Sequence, residues 1–375
     1  MIRLLSIQPV AERGGSDQAL LRLVRSLPPA DFDCHVAVPA PHPLGREFAD
    51  AGATLHVVPM RRISTSHGIG SWAAYAAGWP VAGHRLTRLA RRLDVDLVHT
   101  NSLHSWYGWA VARRVRRPHV WHAREIVVQS GAALRLERFL TRRYATRVIA
   151  MSEAIASQLD PANVEVVHDD PDPAEFSPAR AGAFRARVGI ADGAPVAGSA
   201  GRIDTWKGID VLLDAFPRVR AAGPDAELVV AGGPVAGKEG YSADLERRAR
   251  SIGAHWLGPR DDVPEMLADL DVLVLPSTEP EPYGLVLVEA LASGTPVVAT
   301  DQGGPVEIIG RAAAGAGRLV PPHDVDAMAT AIAEQLGATS ATSSTTRAGR
   351  PRLLELEPPR YAEIFEQVVA EGASR

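Results

Sequence analysis

The chain has a single cysteine, Cys34, in 375 residues. That excludes an internal disulfide framework and any multi-cysteine zinc site, and it suits a reducing compartment. Cys34 itself reads as a small buried apolar residue. Lysine is nearly missing as well, since all but Lys207 and Lys238 of the 40 basic residues are arginine. Aromatic residues make up only 5%, and no uninterrupted apolar run is long enough to span a bilayer. The first residues run directly into a strand-like pattern, with no long apolar segment ahead of a small-residue cleavage site. The expectation from these absences is a cytoplasmic protein.

What is present is a globular composition, with 46% hydrophobic and 22% charged residues and a net charge of −4. Single cores stop growing near 250–300 residues, so the length implies two domains. The near-neutral total conceals a basic half and an acidic half. Residues 1–180 hold 22 arginines against 17 carboxylates, and residues 181–375 hold 18 basic against 27 acidic side chains. This balance suggests no nucleic-acid partner.

Short β-branched runs alternate with helical patterns, which predicts α/β architecture built from βαβ units and parallel sheets. In the first half, strands are expected at Leu4–Gln8, His35–Val38, Thr54–Val58, Asp96–His99, His119–His122, Arg147–Ala150 and Val164–Val167. Residues 170–194, with Pro171, Pro173 and Pro178, form the candidate domain link. The alternation then restarts at Pro195–Ala200, Glu227–Ala231, Ala254–Leu257, Val272–Leu275, Pro296–Thr300 and Gly317–Val320. Helices are expected near 208–221, 241–252, 263–269, 284–292 and 324–336. Two doubly wound sheets result, facing across a cleft lined by the loops at their strands' carboxyl ends, where such sheets bind ligands. Residues 337–350, rich in Ala, Ser, Thr and Gly, read as a flexible connector. A last helix, about 359–370, carries Tyr361, Ile364, Phe365 and Val368 on one stripe.

Residues 276–300 are the most informative stretch. A strand ends at Pro276, a loop rich in Pro and Glu follows, and a helix starts at about Gly284. Glycine there lets a ligand approach the backbone, and the free N–H groups of Gly284, Leu285 and Val286 make an anion site. Glu281 beside that site and Glu289 on the helix cannot form a close carboxylate pair. They suit two hydroxyl-bearing parts of one ligand, against the plainer reading of a loop carboxylate and a half-buried one bonded to its neighbours.

Gly201 to Gly208 lies at another strand's carboxyl end. Arg202 offers a planar fork and Lys207 a mobile point charge, the two parts of a phosphate clamp. The alternative is a solvated loop. Gly232-Gly233-Pro234-Val235-Ala236-Gly237-Lys238-Glu239 nearly matches a P-loop, but Glu239 stands where a hydroxyl should hold Mg²⁺, and Pro234 removes an N–H donor. Lys238 is therefore expected in an ordinary loop.

In the first half, Gly14-Gly15 follows the first strand and precedes a helix. It is not a dinucleotide fingerprint, yet it permits close approach of a diphosphate. His122 ends a strand, a position that places it on the cleft side, although a lone histidine is more often structural. No histidine and carboxylate spacing suggests a metal site. Residues 69–83 are uncharged, carry Trp72 and Trp79, and lead into the arginine-rich helix 85–92. This stretch reads either as an element touching membrane through 69–92 or as a helix packed on the first domain, the latter fitting its Pro and Gly breaks better.

Taken together, Gly14-Gly15, His122-Ala123-Arg124-Glu125, Met151-Ser152-Glu153, Gly201-Arg202 with Lys207-Gly208, Gly232-Gly233-Pro234, Glu281-Pro282-Tyr283-Gly284 with Glu289, and Gly303-Gly304 resemble the retaining GT-B glycosyltransferases of family 4, the glycosyl transferases of group 1. The resemblance covers nearly the whole chain and is most specific over 196–336. It implies a GT-B fold with two Rossmann-like domains. These are an acceptor domain at 1–178, onto which helix 357–375 packs back, and a nucleotide-sugar domain at 179–356. It implies that Arg202 and Lys207 hold a diphosphate, Glu289 the ribose, and Glu281 with Gly284, Leu285 and Val286 the donor sugar and its phosphate. Gly14, Gly15 and His122 would approach the donor from the other domain, with His122 and Glu281 as catalytic residues.

The implied reaction is hexosyl transfer with retention, from a UDP-sugar in preference to a GDP-sugar. The acceptor is a small-molecule or lipid-linked hydroxyl in a secondary metabolite, glycolipid or envelope polysaccharide precursor, and neither metal nor other cofactor is used. A sugar-nucleotide epimerase and a non-catalytic nucleotide-sugar binder are the alternatives. One departure from the family pattern is Asp170, which stands where a glycine with φ > 0 is usual; Asp tolerates that region better than most residues.

Overall fold

The computed structural model describes the chain apart from Arg13, 63–67, 129–130, Asp160, Asp192, 224–225, 342–346 and 374–375. All thirteen expected strands form among the described residues, with ends that differ from expectation by a residue or a few. The chain divides into two compact units, Met1–Asp169 with Pro358–Arg375, and Asp170–Glu357. The crossing comes earlier than the expected boundary at 178, because residues 170–180 are bonded into the second unit. Asp170 accepts from Tyr283 and Arg311, and Arg180 pairs with Glu265.

In the first unit the strands are β1 (Ile2–Ile7), β2 (Phe32–Val38), β3 (Ala53–Val57), β4 (Leu97–Thr100), β5 (His119–Ala123), β6 (Arg147–Ala150) and β7 (Val164–Val166). They form one parallel sheet in the order β3-β2-β1-β4-β5-β6-β7. One face is covered by the helix Gly15–Ser26 and by the last helix, Tyr361–Ala373, whose Tyr361, Ile364, Phe365 and Val368 enter the same core as Leu4, Leu20 and Val36. The helices Gly68–Leu93 and Tyr107–Val115 cover the other face.

Gly68–Leu93 runs as one helix through Pro80, so the expected break does not occur. Its Tyr75, Ala82, Leu86, Leu89 and Ala90 are buried in the core, and Arg85, Arg88, Arg91 and Arg92 are exposed. The side chain of Trp72 lies outside the described residues. Among the described residues no helix is long and apolar enough to cross a membrane.

The second unit repeats the plan with β8 (Val196–Ala200), β9 (Glu227–Ala231), β10 (His255–Gly258), β11 (Val272–Leu275), β12 (Val297–Thr300) and β13 (Gly317–Val320), ordered β10-β9-β8-β11-β12-β13. Its core draws Leu212, Phe216 and Val219 from the helix Ile209–Ala222, with Met328, Ile332 and Leu336 from Val325–Ala341. The helix Gly304–Arg311 was not anticipated.

Nor is residues 337–350 the loose connector its composition suggests. The helix Val325–Ala341 continues into it, and Arg347 and Arg350 bond Asp271. Residues 342–346 of that segment lie outside the described residues. Asp271 is also paired with the buried Arg185, and these cations hold its carboxyl below the usual range against the opposing effect of burial.

Candidate functional site

In each sheet the strand order reverses beside the first strand, between β1 and β4 in one unit and between β8 and β11 in the other. Loops at the carboxyl ends of such a pair form the ligand crevice of a doubly wound sheet. In the second unit these are the loops after Ala200 and after Leu275, and they are bonded to one another. Thr278 N donates to Trp206 O at 2.7 Å. Gly208 has φ +66°, and a Cβ on it would stand 1.9 Å from the carbonyl oxygen of Pro276, so only glycine lets the loops approach this closely.

This contact brings Lys207 to Glu281. Lys207 Nζ donates to Glu281 Oε2 at 2.6 Å, and Ser277 Oγ donates to the same oxygen at 2.9 Å. The side chains are 16% and 9% exposed, so the pair is shielded without being sealed. Lys207 Nζ also lies 4.1 Å from the centre of the Trp206 ring, within cation–π range. Arg202 is exposed on the same loop.

Gly284, with φ +100°, caps the helix Leu285–Ala292, whose first N–H groups have no partner within the helix. Glu289 is half-buried one turn in from that end. The loop bearing Glu281 is braced by Gly303-Gly304. Gly304 N donates to Glu281 O at 2.8 Å, and a Cβ on Gly303 would meet that oxygen at 2.2 Å. Lys207, Glu281, Gly284, Leu285 and Val286 thus gather at the loop and helix start after β11, with Arg202 on the adjoining loop.

Two sequence expectations, those on Lys238 and Asp170, need correction in this unit. Lys238 is not in an ordinary loop: its ammonium pairs with Asp204 and donates to Thr205 Oγ1 at 2.9 Å, tying the Gly232–Glu239 loop to the Lys207 loop. Glu239 accepts the N–H of Gly237 at 3.0 Å, so a carboxylate already occupies the turn that a P-loop leaves for phosphate. Asp170 does not adopt a positive φ. Instead its carboxylate accepts from Tyr283 Oη at 3.1 Å, Arg311 at 3.0 Å and Glu357 N at 2.9 Å. The sequence offered no local signal for the Lys238 and Asp170 bonds, whose partners lie far apart in the chain.

In the first unit, Gly14 and Gly15 start the helix Gly15–Ser26 after β1. A buried polar chain runs along the carboxyl edge of this sheet. Asp17 accepts from Gln8 Nε2 at 2.9 Å and is paired with His42 at 2.8 Å. Asn101 Nδ2 donates to Gln8 at 2.9 Å, and Arg124 Nε donates to Asn101 Oδ1 at 2.6 Å. Arg124 also pairs with Asp169, which takes the Tyr361 hydroxyl as well.

His122 stands otherwise than its strand position suggested. It is fully buried on the face of β5 that the last helix covers, with its ring centroid 5.6 Å from those of His99 and Tyr361. Arg124 can only donate, so its 3.3 Å contact makes His122 Nδ1 the acceptor and leaves the proton on Nε2, which has no partner among the described residues. Burial, reinforced by Arg124 and His99, holds the His122 pKa well below its ordinary value, so the ring is neutral. Among the described residues no three His, Cys, Asp or Glu side chains cluster as metal ligands do.

Two parallel sheets of this order, with the Lys207 and Glu281 loops meeting at a switch point of the second, define a Rossmann-like α/β architecture. The family model of glycosyl transferases group 1 matches residues 182–350, and that of the glycosyl transferase 4-like domain matches residues 14–170. A 2-deoxystreptamine glucosyltransferase of Streptomyces kanamyceticus is 31% identical over 280 residues, covering 73% of this chain and 69% of that protein. The chain belongs to the glycosyl transferases of group 1, of GT-B type.

A D-inositol 3-phosphate glycosyltransferase of Mycolicibacterium gilvum is 33% identical over 274 residues, covering 66% of this chain. The match spans 60% of that relative's length. Among solved structures, Anabaena HepE in complex with UDP-glucose has a TM-score of 0.75 at 22% identity, with both chains covered completely. A sucrose-phosphate synthase of Thermosynechococcus elongatus has a TM-score of 0.71 at 19% identity, again with full coverage of both. These two likenesses concern the fold.

Proposed function

We propose that the protein is a retaining glycosyltransferase that moves a hexosyl group from a UDP-sugar to a hydroxyl of a cyclitol-like acceptor. The observation that carries this reading is the 2.6 Å contact between Lys207 Nζ and Glu281 Oε2 at the switch point of the second sheet. It sets a cation for phosphate oxygens beside a carboxylate for sugar hydroxyls. Arg202 and the N–H groups at Gly284, Leu285 and Val286 add positive potential, and Glu289 takes the ribose hydroxyls.

In the reaction, the bond from the anomeric carbon to the β-phosphate oxygen breaks, and its electron pair leaves with the diphosphate. The acceptor oxygen bonds to that carbon on the same face, and its proton passes to the departing phosphate oxygen. Charge develops on the diphosphate, where Lys207, Arg202 and the helix start stabilise it, so no metal ion is required. Glu281, held by Lys207 and Ser277, orients the sugar. Within the first unit, His122 accepts from Arg124 and so orients it.

A uridine donor and a cyclitol acceptor are favoured by what related proteins are named for. HepE is seen with UDP-glucose, and the relatives act on D-inositol 3-phosphate and 2-deoxystreptamine. The test is to incubate the protein with UDP- and GDP-hexoses and a panel of cyclitols, with and without EDTA, and to assign the anomeric configuration of the product by NMR. Retained configuration and EDTA-insensitive release of UDP are expected. An inverted product, donor isomerisation, or donor binding without any turnover overturns the reading.

A further inference from the structure

The only two lysines of the chain belong to one connected set of side chains. Lys238 bonds Asp204 and Thr205 Oγ1. The second Asp204 oxygen, Oδ2, accepts the indole Nε1–H of Trp206 at 3.1 Å. The Trp206 ring carries the Lys207 ammonium at 4.1 Å, and Lys207 reaches Glu281 at 2.6 Å. The backbone reinforces this link between loops: Ile203 N donates to Gly233 O at 2.8 Å and Val235 N to Ile203 O at 3.2 Å.

We propose that Lys238 and Asp204 are positioning residues that act through Trp206 to hold the Lys207 ammonium in place for the donor diphosphate. This rests on the reading of Lys207 as the donor-phosphate lysine. A lysine head on a four-carbon stem loses considerable rotamer freedom when it must meet a phosphate at one point. Two supports reduce that cost by fixing the head before the ligand arrives: Glu281 on one side and the Trp206 face on the other. The half-buried indole is held further by its N–H, which Asp204 anchors at 3.1 Å. Asp204 in turn would be a lone, partly buried carboxylate close to the phosphates, repelling them. Lys238 neutralises it. A compact ammonium suits this task, because it donates at once to a carboxylate and to the Thr205 hydroxyl.

The experiment is a double-mutant cycle on UDP affinity, measured by calorimetry on the full chain, with Lys238→Ala, Lys207→Ala and the pair. Lys238→Ala is expected to weaken UDP about threefold to tenfold in the wild-type background and to have no further effect once Lys207 is gone. Lys238→Arg should recover only part of the loss. Trp206→Phe, which keeps the ring and removes the anchored N–H, should weaken UDP in the same background-dependent way and serves where Lys238→Ala fails to fold. Equal losses in both backgrounds would show a general structural role and overturn the proposal, as would no loss at all. Unchanged affinity in Lys207→Ala alone would overturn the donor-site reading beneath it, so the two failures are distinct.

Discussion

Lys207 Nζ and Glu281 Oε2 meet at 2.6 Å across 74 residues of sequence, joining the loop after β8 to the loop after β11. The pair is made possible by Gly208, which lets the first loop lie against Pro276, and by Gly303, which lets the second lie against its own brace. Each side chain therefore has its place before any ligand is bound, which is the condition for electrostatic stabilisation without rearrangement.

Replacing Glu281 by Gln keeps the size of the side chain and its ability to accept from Ser277 and Lys207, but removes its charge. Turnover is expected to fall by roughly a hundredfold, the scale of losing one preorganised polar group in an active site. UDP affinity should fall far less, by no more than the threefold to tenfold expected from loosening Lys207, since the amide oxygen still accepts from Lys207 and the nucleotide is also held by Arg202 and Glu289. Steady-state kinetics beside UDP calorimetry checks this, and equal losses in both would assign Glu281 to binding alone.

Arg124 and Asp169 are 3% and 1% exposed, and each is the other's counter-charge. Asp169→Ala leaves a guanidinium buried without its carboxylate and also deprives the Tyr361 hydroxyl of its acceptor. A destabilisation of about 3–5 kcal/mol is expected in denaturant titration, with the last helix loosened from the first unit. Tyr361→Phe should cost less, about 1–3 kcal/mol, because the ion pair survives.

Stability should fall as the solution is acidified through the histidine range. His99, His119 and His122 are fully buried, and burial chiefly depresses all three, His119 to about 3. Below the ordinary histidine pKa of 6.5 the unfolded chain binds these protons and the folded chain does not, so the unfolded state gains. Stability from these groups is full above 6.5 and is lost toward lower pH, at about 1.4 kcal/mol per pH unit for each histidine. Urea titrations at pH 7.5 and 5.5 should differ accordingly. His122→Asn should flatten the dependence, and an unchanged slope would contradict the neutral, buried assignment.

The strands were legible because each is a short β-branched or apolar run between turn signals, and parallel strands buried on both faces read that way. The helix Gly304–Arg311 was missed because Gly303, Gly304 and Pro305 look like a loop; the proline sits in the first turn, where it is tolerated. The burial of His122 is not legible in the sequence, because a strand's end gives no information on what covers each face and Tyr361 arrives from far along the chain. Lys238 was misjudged for a similar reason: its partner Asp204 lies 34 residues earlier. Local pattern located the loops of the site, whereas the pairings that hold them are non-local.

Whether Lys207 and Glu289 hold a nucleotide sugar on the second unit is decided by titrating UDP-glucose into the wild type, Lys207→Ala and Glu289→Ala under calorimetry. Each substitution removes a charge-assisted hydrogen bond worth about 1.5–3 kcal/mol. Affinity is expected to drop by roughly 10- to 150-fold in each variant while the folded state persists. Wild-type affinity in both variants would contradict it.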